Sequence, residues 1–108
     1  MVSRSSLLLS FVAFVSLTSS VTVIADEGQM VYAKWCVPCH ADSPFAPGTI
    51  QLRATRGEEF AVLEQRGDLT ATLLRTLVRS GFAGMPKFRR TEISESDLNA
   101  LVNYLVKK

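Results

Sequence analysis

Both cysteines and the single histidine of this 108-residue chain fall in one short run, Cys36-Val37-Pro38-Cys39-His40. If that run is helical, the i, i+3 spacing puts the two thiols on one face. Two thiols so placed can form thioethers to both vinyl groups along one edge of a porphyrin, and C-x-x-C-H is the attachment signature of c-type haem. His40 adjoins Cys39 and lies one turn beyond Cys36, so its imidazole can reach the iron that those bonds would hold. The pattern predicts one covalent haem c per chain, with Cys36 and Cys39 as attachment points and His40 as an axial ligand.

A low-spin electron-transfer haem takes a second axial ligand, and methionine raises its potential. Met85 is the candidate, in the rigid turn Gly84-Met85-Pro86. A core methionine filling a gap is the plainer reading of such a residue. Met30 has the same claim to that role, but it lies too close to Cys36 to cross to the opposite haem face. With both axial positions filled, oxygen binding and catalysis at iron are disfavoured. Phe45, Phe82, Phe88 and Trp35 lie near the ligands in sequence and are expected to wall the haem pocket or to form core. Lys87, Arg89 and Arg90 follow Met85 closely. They either rim the haem edge, steering an acidic partner, or form a solvated charged turn.

Two other chemistries use the same residue types. Structural zinc needs four ligands, and two cysteines and one histidine do not supply them. Trp35-Cys36-Val37-Pro38-Cys39 also fits the W-C-x-P-C redox pattern of thioredoxin-like thiol–disulfide oxidoreductases. That alternative requires a βαβ setting around the motif, and no segment beyond residue 25 alternates with the period of a strand.

The elements that must position these residues read as helices. Gly28 to Lys34 is a short amphipathic helix. Thr70 to Ser80 carries Leu73, Leu74, Leu77 and Val78 at helical spacing, with Asp68 or Thr70 to cap it and Gly81 to stop it. Glu95 to Val106 buries Leu98, Leu101, Val102 and Leu105, capped by Ser94 with Asp97 at the capping-box position. Pro44, Pro47 and Gly48 mark an irregular loop over Ala41 to Gly48. Glu58 to Gln65 reads as one or two helical turns, and the stretch from Gly48 to Leu69 is otherwise unplaced. The expected fold is all-α, with three to four short helices wrapped around the haem.

Residues 1–25 resemble an export signal. Arg4 precedes an apolar run from Leu7 to Leu17, and Val23 and Ala25 sit where a peptidase reads small residues. An uncleaved membrane anchor is the alternative, but Ser16, Thr18, Ser19 and Ser20 dilute the run. The expectation is a cleaved signal over 1–25, a domain over 26–108, a periplasmic location and no membrane contact after cleavage. Such a small domain is short of core and often needs a bound group for stability. A disulfide between Cys36 and Cys39 would close too small a loop to supply it. Twelve basic against ten acidic residues give no support for nucleic-acid binding.

Taken together, Cys36 to His40, Gly84-Met85-Pro86 and a set of helix-crossing residues resemble a class I c-type cytochrome over nearly all of Gly28 to Val106. In that family a small residue and an aromatic on the first helix cross an aromatic on the last. Gly28 and Tyr32 precede Cys36 by two turns and one turn of helix, and Tyr104 fits the partner position. The resemblance also implies a proline carbonyl that orients the haem histidine through its outer nitrogen, with Pro47 the match and Pro44 the fallback. More narrowly, Leu74 to Phe88 is similar to the small cytochrome subunits of flavin-dependent alkylphenol-oxidising enzymes of the p-cresol methylhydroxylase type. That likeness implies a flavoprotein as electron donor and a second redox protein as acceptor.

Overall fold

Asp26 opens the first helix by lending its carboxylate to the Gly28 N–H at 3.0 Å, the bond an N-cap acid makes. A computed structural model describes residues 26–106, so the expected export signal lies outside the described residues. Helix α1 spans Glu27–Trp35. The chain bends at Cys36 into the single turn α2, Val37–His40, where Pro38 falls in the first turn and its missing N–H costs nothing. Helix α3 spans Pro47–Arg56, and two 3₁₀ turns follow at Glu58–Phe60 and Leu63–Gln65. Helix α4, Ala71–Ser80, is capped by the Thr70 hydroxyl and stops at Gly81, whose φ of 68° suits glycine. Helix α5, Glu95–Leu105, carries the full capping box of Ser94 and Asp97. No strand occurs among the described residues; Phe82 and Met85 form one isolated bridge.

The all-α reading holds, with α3 as an added helix. Its Thr49, Gln51, Arg53, Thr55 and Arg56 leave Ile50 and Leu52 without an apolar period, and only Thr49 is fully buried. The helix starts where it does because Pro47 takes its first position, with φ already helical. It is held to α2 by the Thr49 hydroxyl, which donates to the Ala41 carbonyl at 2.7 Å.

The core forms where α1 crosses α5. A Cβ at Gly28 would run into the Ala100 carbonyl and come within 2.6 Å of Tyr104 Cβ, so only glycine permits this approach. The rings of Tyr32 and Tyr104 meet one turn further on, 5.7 Å apart and tilted by 47°. Leu98, Leu101, Val102 and Leu105 are all buried, as are Leu74 and Val78 of α4 and Ile93. The α4 stripe is narrower than its spacing predicts. Leu77 is half-buried, on the wall of a cleft, and Leu73 is 38% exposed. Arg75 ties the two helices at the surface with a 2.5 Å bond to Asn99.

Gly28→Ala should therefore destabilise the haem-loaded protein. Alanine gains about 1 kcal/mol of helix propensity, but overpacking against backbone costs about 1–3 kcal/mol. A lower denaturant midpoint is expected; an unchanged or higher one would contradict the close crossing.

Candidate functional site

The turn α2 gathers the chemistry. The His40 N–H donates to the Cys36 carbonyl at 2.8 Å and the Cys39 N–H to the same oxygen at 3.1 Å, so Cys36 and Cys39 lie on one face. Both thiols are free, Cys36 half-buried and Cys39 exposed. The Tyr32 hydroxyl donates to the His40 carbonyl at 3.1 Å, which fastens α2 to the α1–α5 crossing. On its other side the His40 ring lies against Gly48. A Cβ there would stand 2.6 Å from His40 Cε1 and 2.8 Å from Nδ1. His40 Nδ1 is buried with no hydrogen-bond partner. The expected bond to the Pro47 carbonyl is thus not made. Pro47 is the first helical residue of α3, its carbonyl runs along the helix axis, and the Gly48 backbone is what meets the ring.

Beyond His40 opens an apolar cleft. Cys36, His40 and Met85 share its wall with Leu74, Leu77 and Val78 of α4 and Leu101 and Leu105 of α5. Met85 is half-buried, in a tight turn where its N–H donates to the Phe82 carbonyl at 2.9 Å and its carbonyl accepts from the Phe82 N–H at 3.1 Å. Of the aromatic residues expected in the pocket or the core, none lines the cleft. Phe45 is 86% and Phe82 71% exposed. Nearness in sequence to a ligand did not turn either side chain inward. Tyr32 belongs to the helix crossing, and Phe88 packs edge-on against Trp35, ring centroids 5.8 Å apart. Their place is the core. The remaining wall comes from the stretch that the sequence left unplaced: Leu52, Leu63, Leu69 and Arg66. Leu69, fully apolar and buried, was the one signal there. Arg66 carried none, being one charge among several.

Residues 24–105 match the family model described as cytochrome c oxidase, cbb3-type, subunit III. The chain belongs to the cytochrome c family. Among solved structures it is similar to the cytochrome subunit in the crystal structure of p-cresol methylhydroxylase with substrate bound. The two are 29% identical, with a TM-score of 0.52, over 72% of this chain and 86% of that one. No curated protein matches. The chain is accordingly a haem electron-transfer protein of the class I c type, not an enzyme by itself.

The cleft suits a haem by its own chemistry. An apolar slot with one imidazole and one thioether on its wall offers the macrocycle burial and the iron two ligands of the types it takes. His40 Nδ1, buried and unpaired, fits an imidazole whose other nitrogen is free for iron. Burial, helped by the Arg66 charge, lowers the His40 pKa, which favours the neutral ring. Burial, with Cys39 second, pushes the Cys36 thiol up to about 11. The thiol–disulfide alternative needs a βαβ setting, which the helical cytochrome c fold does not provide. Among the described residues no helix is long and apolar enough to cross a membrane.

Gly48→Ala tests the cradle. The added methyl must displace His40, so the haem-loaded variant should show a shifted absorption maximum and midpoint potential relative to the parent. Identical spectra and potentials would contradict the contact.

Proposed function

We propose that this cytochrome carries one covalent haem c, joined through Cys36 and Cys39, with His40 and Met85 as axial ligands. It accepts single electrons from a flavoprotein partner and passes them to a second redox protein in the periplasm, residues 1–25 serving as the cleaved export signal of the 26–108 domain. The observation that supports the ligand set best is the meeting of Cys36, His40 and Met85 on one apolar cleft.

When bound, the haem supplies a one-electron Fe(III)/Fe(II) couple. The chain does the rest. Cys36 and Cys39 would hold the haem as thioethers, each thiol adding across one vinyl group with its proton going to the vinyl carbon. His40 would offer one nitrogen to the iron and keep its proton on Nδ1, which is buried and unpaired. The leucines of α4 and α5 keep water from the site, and low polarity with a thioether ligand favours the ferrous state. Arg66, only 12% exposed at its side chain and paired with Asp68 at 2.6 Å, is the one cation on the cleft wall and suits a haem carboxylate. Beyond Met85, Arg89 pairs with Glu92 at 3.6 Å and Arg90 with Glu95 at 2.9 Å. Lys87 has no such ion pair among the described residues and is the cation left to meet an acidic partner surface. The flavoprotein donor is supported by the 29% identity to the cytochrome subunit of p-cresol methylhydroxylase.

Met85→Ala should abolish the sulfur-to-iron charge-transfer absorption of the oxidised protein and lower the midpoint potential by on the order of 100 mV or more. A resting spectrum that does not change would remove Met85 as ligand. For the donor, the flavoprotein subunit of an alkylphenol-oxidising enzyme, given its phenol, should reduce this cytochrome faster than it reduces a class I cytochrome of another type. Equal rates would remove that partner class.

A further inference from the structure

The residue that bears the sulfur sits on a segment with little packing of its own. Between Gly81 and Ile93 most side chains are exposed, and only Met85, Phe88 and Glu92 are half-buried. Besides the paired backbone bonds of Phe82 and Met85, two backbone contacts hold its start. Gly81 lies so close that a Cβ would come within 2.7 Å of the Met85 carbonyl, and the Phe88 N–H donates to the Val78 carbonyl at 2.8 Å. On the far side Arg90 reaches Glu95 at 2.9 Å and Phe88 packs on Trp35, but one side chain gathers both ends. Arg79, at the end of α4, donates from Nη1 to the Phe88 carbonyl at 3.2 Å and to the Ile93 carbonyl at 2.9 Å. Its Nη2 donates to Glu95 at the start of α5, also at 2.9 Å. A single planar guanidinium therefore bridges α4, both ends of the stretch that follows Met85, and α5. Its fixed fork of donors allows this where the point charge of lysine would not.

We propose that Arg79 is the positioning residue for Met85: it keeps the methionine turn closed on the haem cleft, and so sets how often the iron's sulfur side is open to other ligands. This rests on Met85 being the axial ligand. Arg79 touches neither haem nor sulfur; it acts by tethering the segment that carries the sulfur to two helices. Arg75, one turn earlier on α4, provides a matched comparison. It carries the same charge and bonds α5 through Asn99 at 2.5 Å, but no bond runs from it to the methionine turn.

The test is titration of the oxidised, haem-loaded protein with imidazole, which binds iron only when Met85 has left. Apparent affinity scales with the open fraction. Losing charge-assisted bonds to two carbonyls should make Arg79→Gln bind imidazole about tenfold more tightly than the parent. Arg75→Gln should bind like the parent, even where its thermal stability falls as much. Arg79→Lys, which keeps the charge without the fork, should lie between parent and Arg79→Gln, and it carries the test where the glutamine variant fails to fold. Parent-like imidazole affinity in the Arg79 variants, or an equal rise in Arg75→Gln, would overturn the proposal. If the parent itself lacks the sulfur-to-iron absorption, Met85 is not the ligand, and both readings fall; if the parent shows it, only the role of Arg79 is at stake.

Discussion

The thiols, the imidazole and the α5 part of the cleft wall take their position from the place where α1 lies across α5. Gly28 lets two backbones approach to a distance that no side chain would permit, and the Tyr32–Tyr104 pair fills the crossing one turn on. From there one hydroxyl carries the constraint onward: Tyr32 holds the His40 carbonyl, and with it the turn that bears both thiols and the imidazole. The same helix, α5, offers Leu101 and Leu105 to the cleft. A shift at the crossing would thus move the His40 imidazole and the α5 part of the cleft wall together. Overpacking there is costly for that reason, since dense interiors transmit strain rather than absorb it.

The two ligand candidates are held in different ways. His40 belongs to a helical turn clamped between α1 and α3, with Gly48 against one face of its ring and Tyr32 on its carbonyl. Met85 belongs to a turn on the surface, closed by the paired backbone bonds with Phe82 and tied back by Arg79. One side of the cleft is therefore sterically fixed, while the other depends on a few hydrogen bonds. Segments with few buried contacts open at lower free energy than the core. If Met85 is the ligand proposed above, such a tether would keep the sulfur buried, and methionine with exclusion of water favours the ferrous state.

Most of this was legible in the residues. The Cys36–His40 spacing, the Gly84-Met85-Pro86 turn, the caps at Thr70 and Ser94 and the crossing set of Gly28, Tyr32 and Tyr104 each carry a local signal that the fold then uses. What stayed hidden has a common cause. Helix α3 shows no apolar stripe because it turns only Thr49 fully inward; a helix that rests on its neighbours by a hydroxyl leaves no hydrophobic period. Phe45 and Phe82 were assigned to the pocket by nearness in sequence, but their side chains face solvent, and the wall is built by leucines distant along the chain. Arg66 and Arg79 look like any other surface cations. What distinguishes them, a place on an apolar wall and three acceptors on separate segments, exists only once the chain is folded.

The central claim is that Cys36 and Cys39 hold a haem by covalent bonds, and it is tested most directly by chemistry that survives unfolding. The full chain would be produced in a host with haem-attachment machinery that also matures a control cytochrome, then denatured in alkaline pyridine and reduced. The account predicts that haem stays with the chain through acid–acetone extraction and gives the spectrum of a haem joined by two thioethers. A colourless protein from that host, or haem that leaves in the extract, would contradict it.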